Sequence, residues 1–254
     1  MDITFLGTGT SMGIPVIGCN CLVCSSTNDN DKRLRSSVSI RTKDKHLIID
    51  TGPDFRTQIL KYVTSVPDAI LITHEHFDHV GGLDDIRPLN FISKKPMPIY
   101  AGSRTINDLN LRFHYSQDLT KPNLPQFQFH EITYDPFFID ELPIIPLKVF
   151  HGELPIWGYR IGDFAYITDA SSLPEETMMK LQNIQVLVIN ALRTKPHPTH
   201  FNIQQALDVV NQIQPQKCYL THLSHQAPSY LELKNTLPKN IEPAYDGLTI
   251  TIDE

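Results

Sequence analysis

Six consecutive residues, His74-Glu75-His76-Phe77-Asp78-His79, restrict this chain more than any other feature. They follow an apolar run, Ala69-Ile70-Leu71-Ile72-Thr73, that reads as a strand. Four metal-competent side chains, His74, His76, Asp78 and His79, crowd the end of that strand. Partly desolvated there, they would be costly to keep without a cation to share. In an extended stretch side chains alternate, so His74, His76 and Asp78 are expected on one face. His79 breaks the alternation and reaches a second centre as the chain enters a helix expected from Val80-Gly81-Gly82-Leu83. The spacing suits two adjacent metal ions.

Size and charge narrow the setting. With 254 residues the chain is long enough for one large core, and a single domain over 1–254 is the expected organisation. Lys plus Arg number 22 against 28 Asp plus Glu, a net charge of −6, which argues against broad binding of nucleic acid or of an anionic membrane. Met1-Asp2-Ile3-Thr4-Phe5-Leu6 reads as a strand and not as a signal sequence. No apolar run approaches membrane-spanning length, so a cytoplasmic location is expected. The small-molecule partner implied below needs no second chain, and a homodimer stays open.

Short strand-like runs recur along the whole chain, from Asp2–Gly7 to Leu248–Ile252, with helical patterns at 55–63, 105–113, 174–181, 203–213 and 229–236. The first half is richer in adjacent strands; the second alternates strand with helix. That mixture predicts sheet packed on sheet with helices on the outer faces. Nineteen prolines, among them Pro122, Pro125, Pro136, Pro143 and Pro146, mark loops and edge strands.

A two-metal site needs further ligands at strand ends. His151 follows Leu147-Lys148-Val149-Phe150, Asp169 follows Phe164-Ala165-Tyr166-Ile167-Thr168, and His222 follows Cys218-Tyr219-Leu220-Thr221. Each stands just beyond an apolar run, where a sheet presents it at a rim. Separately, Cys19-Asn20-Cys21-Leu22-Val23-Cys24 gathers three thiols at a spacing that favours metal over a disulfide. Lone Cys218, inside an apolar strand, reads as a core residue.

The stretch from Leu71 to Gly82 resembles the HxHxDH signature of the metallo-β-lactamase superfamily. Asp50-Thr51-Gly52 resembles its Asp-x-Gly motif, which supports the site from behind the ligands. The resemblance runs nearly end to end and implies an αββα sandwich. It also implies that His74, His76 and His151 hold one metal, that Asp78, His79 and His222 hold the other, and that Asp169 bridges them. Because a histidine occupies position 76, the resemblance points to hydrolysis. Gly7-Thr8-Gly9-Thr10-Ser11-Met12-Gly13 followed by the cysteines is similar to the phosphoribosyl cyclic phosphodiesterases of the PhnP family. In that family three cysteines and a late histidine, here His225, make a structural zinc site. Cys-x-Cys-x2-Cys with one histidine is a complete tetrahedral set with no open position. The glycine run itself does not fit a dinucleotide loop, its last glycine being one position late.

The resemblance also assigns His200, which precedes a helix-like Asn202-Ile203-Gln204-Gln205-Ala206-Leu207, to the substrate phosphate or the leaving oxygen. It fits that position better than His197, whose proline neighbours suggest a loop. His46, His114 and His130 are read as structural. The candidate catalytic residues are therefore His200 and Asp78, the latter a ligand as well. Two divalent ions, zinc or manganese, and one structural zinc are the expected cofactors. The implied reaction is hydrolysis of a small phosphodiester such as a cyclic ribose phosphate. The alternatives are an RNA-processing phosphodiesterase, a thioester or lactam hydrolase on the same ligands, and a non-enzymatic zinc module.

Overall fold

The computed structural model describes residues 1–117 and 123–253, Gln117 by its backbone alone; Pro122 lies outside the described residues. The first half builds strands β1 (Asp2–Gly7), β2 (Ser37–Arg41), β3 (His46–Ile49), β4 (Ala69–Leu71), β5 (Met97–Ala101) and β6 (Phe127–Glu131). The second half builds β7 (Phe137–Ile139), β8 (Leu142–His151), β9 (Leu154–Ile161), β10 (Phe164–Ile167), β11 (Val186–Asn190), β12 (Lys217–Thr221) and β13 (Ile241–Pro243). A last strand, β14 (Thr249–Thr251), returns to pair with β1. Two seven-stranded sheets result, in the orders β14-β1-β2-β3-β4-β5-β6 and β13-β12-β11-β10-β9-β8-β7.

Alternation along the strands divides the apolar residues between layers. Ile3, Leu47, Ile49 and Leu71 from the first sheet meet Ile144, Tyr159, Tyr166 and Val188 from the second. The intervening Ile48 and Ile70 face outward, under helices α1 (Phe55–Tyr62), α3 (Arg87–Ser93) and α4 (Ser103–Arg112). On the other flank Leu187, Ile189 and Leu220 pack under α6 (Ile203–Ile213) and α7 (Tyr230–Thr236), with α5 (Glu175–Lys180) alongside. This is the expected αββα sandwich. Each fully buried Ile or Leu in these layers contributes about 1.5–3 kcal/mol.

Several boundaries differ from the sequence pattern, for physical reasons. The strand leading to the histidine run ends at Leu71, and helix α2 (Phe77–Val80) begins three residues before the expected Val80 start. Asp78 therefore sits in the first turn of a helix and not on a strand face shared with His74 and His76. Helix α3 escapes a periodicity reading because Pro88 lies inside it, at an N-terminal position where no intrahelical N–H is needed. Pro143 and Pro146 fall within β8; β7 pairs only as far as Ile144, so Pro146 lies on a stretch open on that side. No helix among the described residues is long and apolar enough to cross a membrane.

Candidate metal centre

Strands β3 and β4 run parallel in one sheet, as do β10, β11 and β12 in the other. Two antiparallel steps, β8 to β9 and β9 to β10, leave β8 pointing the same way as β10. The C-terminal ends of these strands meet at one rim, where open α/β sheets place their ligands. Asp50 follows β3, His74 and His76 lie in the loop after β4, and Asp78 and His79 open α2. His151 ends β8, Asp169 lies just past β10, and His222 follows β12 directly. Three of these, Asp50, Asp169 and His222, have φ of 63°, 56° and 54°, the left-handed region that costs a side-chain-bearing residue energy. The strand exits are thus bent so that a carboxylate or imidazole turns over the rim.

Backbone contact fixes the α2 turn against the β3 exit. Thr51 N donates to His79 O at 2.7 Å and Gly82 N donates to Thr51 O at 2.8 Å. A Cβ on Gly52 would stand 2.0 Å from Asp78 O, so only glycine permits this approach. Glu75, in the middle of the histidine run, turns away to Arg104 Nε at 2.8 Å and Thr105 Oγ1 at 3.0 Å on α4.

Hydrogen bonds leave one nitrogen of several imidazoles free toward the centre. Asp50 Oδ2 accepts from Thr73 Oγ1 at 2.8 Å and from His79 Nδ1 at 2.7 Å. Thr73 Oγ1 in turn takes the Nδ1 proton of His74 at 3.0 Å. His151 Nδ1 donates to the carbonyls of Asp169 and Thr199, each at 2.8 Å. With Nδ1 engaged in this way, His74, His79 and His151 each turn Nε2 toward the centre, the arrangement that metal-binding histidines adopt. His74 Nε2 and His76 Nδ1 lie 3.0 Å apart, and the His76 and His151 rings are 5.1 Å apart. His79 Nε2 is buried and makes no hydrogen bond, although Asp78 Oδ2 and Asp169 Oδ1 stand 3.2 and 3.3 Å away. An orphaned buried nitrogen between two carboxylates is what a cation would satisfy.

Asp169 is the hinge of the cluster. Its Oδ1 lies 3.1 Å from His222 Nδ1, and its Oδ2 lies 3.1 Å from His200 Nε2. Donor atoms of Asp78, His79, Asp169 and His222 lie within 4.8 Å of one another, and so do those of His151, Asp169 and His200. His197, set aside in the sequence for its prolines, joins the same region with its ring 5.0 Å from that of His200. A His-x-x-His spacing, with only Pro and Thr between, was the available signal for it.

Charge shapes the proton affinities. Burial pushes His74 well below the usual imidazole range and takes His222 down to about 4 against the pull of Asp169; His76 is lowered by burial and by His151. These rings are neutral near pH 7, as ligation requires. Burial also lowers His79, but Asp78, Asp169 and Asp50 outweigh it and raise it well above its usual value. Burial opposes ionisation of Asp169 too, yet His222 and His79 hold it well below the carboxylate range. Carboxylates that raise the proton affinity of a buried imidazole in this way offer a divalent cation the place of that proton.

The cysteines form a separate cluster. His225 Nδ1 lies 3.2, 3.5 and 3.6 Å from Sγ of Cys19, Cys21 and Cys24. Zinc bond lengths of about 2.3 Å to sulfur and 2.0–2.1 Å to nitrogen give a tetrahedral S···N edge of about 3.5 Å. Val16 N and Cys24 N donate to Cys24 Sγ and Cys21 Sγ at 3.3 and 3.4 Å, bonds that favour thiolates.

Comparison with known proteins agrees with this geometry. The beta-lactamase superfamily domain matches residues 45–223. A solved structure described as a new diphosphatase from the PhnP family superimposes with a TM-score of 0.92 at 40% identity, over 98% of this chain and 96% of that one. The short form of human tRNase Z, ELAC1, has the same fold at a TM-score of 0.76 and 22% identity, each chain covered in full. A curated Porphyromonas gingivalis protein named octanoyltransferase is 42% identical over the whole of this chain, which spans 52% of that relative's length. With the ligand-bearing rim, the two-sheet sandwich and these similarities together, the chain belongs to the metallo-β-lactamase superfamily and, within it, to the PhnP family.

Proposed function

We propose that this chain is a metal-dependent hydrolase acting on a small phosphodiester, with the cyclic phosphate of a ribose derivative as the expected substrate. In this reading His74, His76 and His151 hold one divalent ion, zinc or manganese, and Asp78, His79 and His222 hold a second. Asp169 lies between them, and a structural zinc sits on Cys19, Cys21, Cys24 and His225. A pair of divalent ions supplies a nucleophilic hydroxide at neutral pH and a clamp for the oxygens of an in-line displacement at phosphorus. The protein's own part is to hold His74, His76 and His222 neutral, to keep Asp78 and Asp169 ionised, and to offer a proton at His200 Nε2.

The observation that carries this reading is the place of His200. Its Nε2 is 3.1 Å from Asp169 Oδ2, and with His151 and Asp169 it lies close enough to share a cation, although the ligand sets of this reading do not call on it. An imidazole so placed can protonate a departing oxygen, worth about 10²–10⁴-fold as general acid catalysis. His200→Ala should therefore keep its metals and lose about that factor on a cyclic ribose phosphate, whose alkoxide leaves badly without a proton. Bis(p-nitrophenyl) phosphate, with a good leaving group, should be affected far less. Equal small defects on both, or loss of one metal from the variant, would overturn the assignment.

A second reading, cleavage of a diphosphate bridge, is favoured by the 40% identity to a PhnP-family diphosphatase. A phosphate leaving group needs little protonation, so a His200→Ala variant with undiminished diphosphate hydrolysis would select it. The octanoyltransferase named above is nearly twice as long as this chain, and its activity is not carried over. No described cysteine offers a nucleophile at the rim: Cys218 is buried with its thiol pushed far up, and the others gather on His225.

A further inference from the structure

The rim that carries the ligands continues past them to a second cavity of about 230 Å³, lined by the start of α4, the start of β9 and Tyr134. Strands β4, β5 and β6 run parallel, so Gly102, just past β5, and Tyr134, past β6, leave the first sheet at the ligand end. In the second sheet His151 at the end of β8 pairs with Leu154, so Pro155 and Trp157 enter β9 near that same end. Both walls are tied to the metal loop. Trp157 N donates to Thr73 O at 3.0 Å, and Glu75, between His74 and His76, holds Arg104 and Thr105 at the start of α4. Arg104 closes the frame, its Nη2 donating to Pro155 O at 3.1 Å and to Glu75 Oε2 at 3.2 Å.

The lining is aromatic and offers donors. Trp157, the single tryptophan of the chain, packs its ring 5.0 Å from that of Tyr134, and Lys148 Nζ steadies Tyr134 from 5.1 Å. A Cβ on Gly102 would stand 2.3 Å from Trp157 Nε1, so the indole N–H sits at the α4 wall. Among the described residues that N–H has no hydrogen-bond acceptor, although an indole in such a place normally finds one. Arg104 is the one charged residue of the described lining, and Glu75 matches its charge at 2.8 Å. Stacking surface and donors without net positive charge suit an uncharged planar ring bearing acceptor atoms better than a second phosphate. The volume, below the roughly 300–1,000 Å³ that encloses a drug-sized ligand, is that of a site for one ring system. We propose that this cavity is the subsite for the group that the substrate carries beyond its reacting phosphate, and that this group is a heteroaromatic ring such as a purine. The ring packs against Trp157 and Tyr134 and accepts the indole N–H. What reaches the metals rests on the phosphodiester reading above; recognition of the ring does not.

With a single tryptophan in the chain, intrinsic fluorescence reads the cavity directly. In metal-loaded protein AMP should quench that emission to saturation, and ribose 5-phosphate, which lacks the ring, should not. Turnover of 2′,3′-cyclic AMP should exceed that of the 2,3-cyclic phosphate of methyl riboside, which has no base. The ratio of the two kcat/KM values should fall about 5–100-fold in Tyr134→Ala, the loss expected when a base gives up an aromatic partner. Ser103→Phe, at an exposed position of the lining, should fill the cavity, abolish quenching by AMP and bring the ratio near one. Equal quenching by ribose 5-phosphate would make the cavity a phosphate site and overturn the proposal. So would no response to AMP, or an unchanged ratio in Ser103→Phe. Should wild type hydrolyse neither diester, the phosphodiester reading fails, and the fluorescence still decides what the cavity takes.

Discussion

His222 and His225 are three residues apart on the exit from β12, yet they serve clusters built in opposite ways. The rim around His222 draws on the ends of five strands from both sheets; Asp50, His74, His79, Asp169 and His222 are buried there, and the backbone is left-handed at three positions. The cluster around His225 takes its sulfurs from six consecutive residues of one loop, whose own apolar support is little more than Ile14, Val23 and Val16. The sheets would hold the rim in shape with or without an ion. The loop has almost nothing else to organise it. In the proposed reading, metal would be added to a finished fold at the rim and would be part of the folding at the cysteine loop.

The largest expected effect tests the first half of that contrast. Asp169→Ala, which removes the carboxylate between both ligand groups, should abolish hydrolysis, a loss of about 10⁴-fold or more, more than a single acid–base group contributes. Its melting temperature should stay near that of wild type. A large drop in stability would mean that the rim too depends on its ligands for its shape.

Cys21→Ser should do the reverse. If the loop folds around a zinc, losing one of its ligands should lower the melting temperature by several degrees, at about 2–4 °C per kcal/mol for a chain of this size. Activity per active-site metal should change little. Mild chelation should accordingly strip the rim first and leave about one zinc, since closed Cys3His sites hold metal more tightly than open ones. Full stability with lost activity in Cys21→Ser would invert the two roles.

Asp50→Asn sharpens the picture of the rim. The carboxylate binds His79 Nδ1 directly and reaches His74 through Thr73. Replacing it should weaken metal affinity about 10–100-fold without displacing any ligand. Isothermal titration with zinc into the apo-protein would detect this; an unchanged affinity would show that Asp50 only supports the turn.

The smallest effect concerns the loop without its metal. The Cys24 N–H draws the Cys21 thiol down to about 6, whereas burial pushes Cys24 up to about 11. At pH 7 Cys21 is above its value and mostly thiolate; Cys24 is far below its own and remains a thiol. Iodoacetamide should label Cys21 first in the metal-stripped protein, and zinc should protect both, as read by peptide mass spectrometry. Equal labelling would mean that the loop collapses when the metal leaves.

The contrast also separates what was legible in the sequence from what was not. Strand and helix positions read well where periodicity was strong, as in α6, matched from Ile203 to Ile213. Short β7 and β13, three residues each, carry too little pattern to be seen. The start of α2 was misplaced because His-Phe-Asp-His has no apolar period, and its turn is set by Gly52 closing on the Asp78 backbone and Gly82 on that of Gly52. His197 was dismissed for prolines that in the structure stiffen the loop presenting it.

By itself the sequence determined the candidate ligand types and their association with strand ends, because the donor chemistry and the apolar alternation are local. It also determined the sulfur cluster, whose cysteines are close enough in sequence to meet without help. Only the tertiary structure decided which nitrogen of His74, His79 and His151 turns toward the centre, since that depends on carbonyls and carboxylates elsewhere in the chain. His151 is oriented by Asp169 and Thr199, 18 and 48 residues distant, and His79 by Asp50, 29 residues distant. A hydrogen bond a few tenths of an ångström too long would lose that selection, and no spacing in a sequence encodes it.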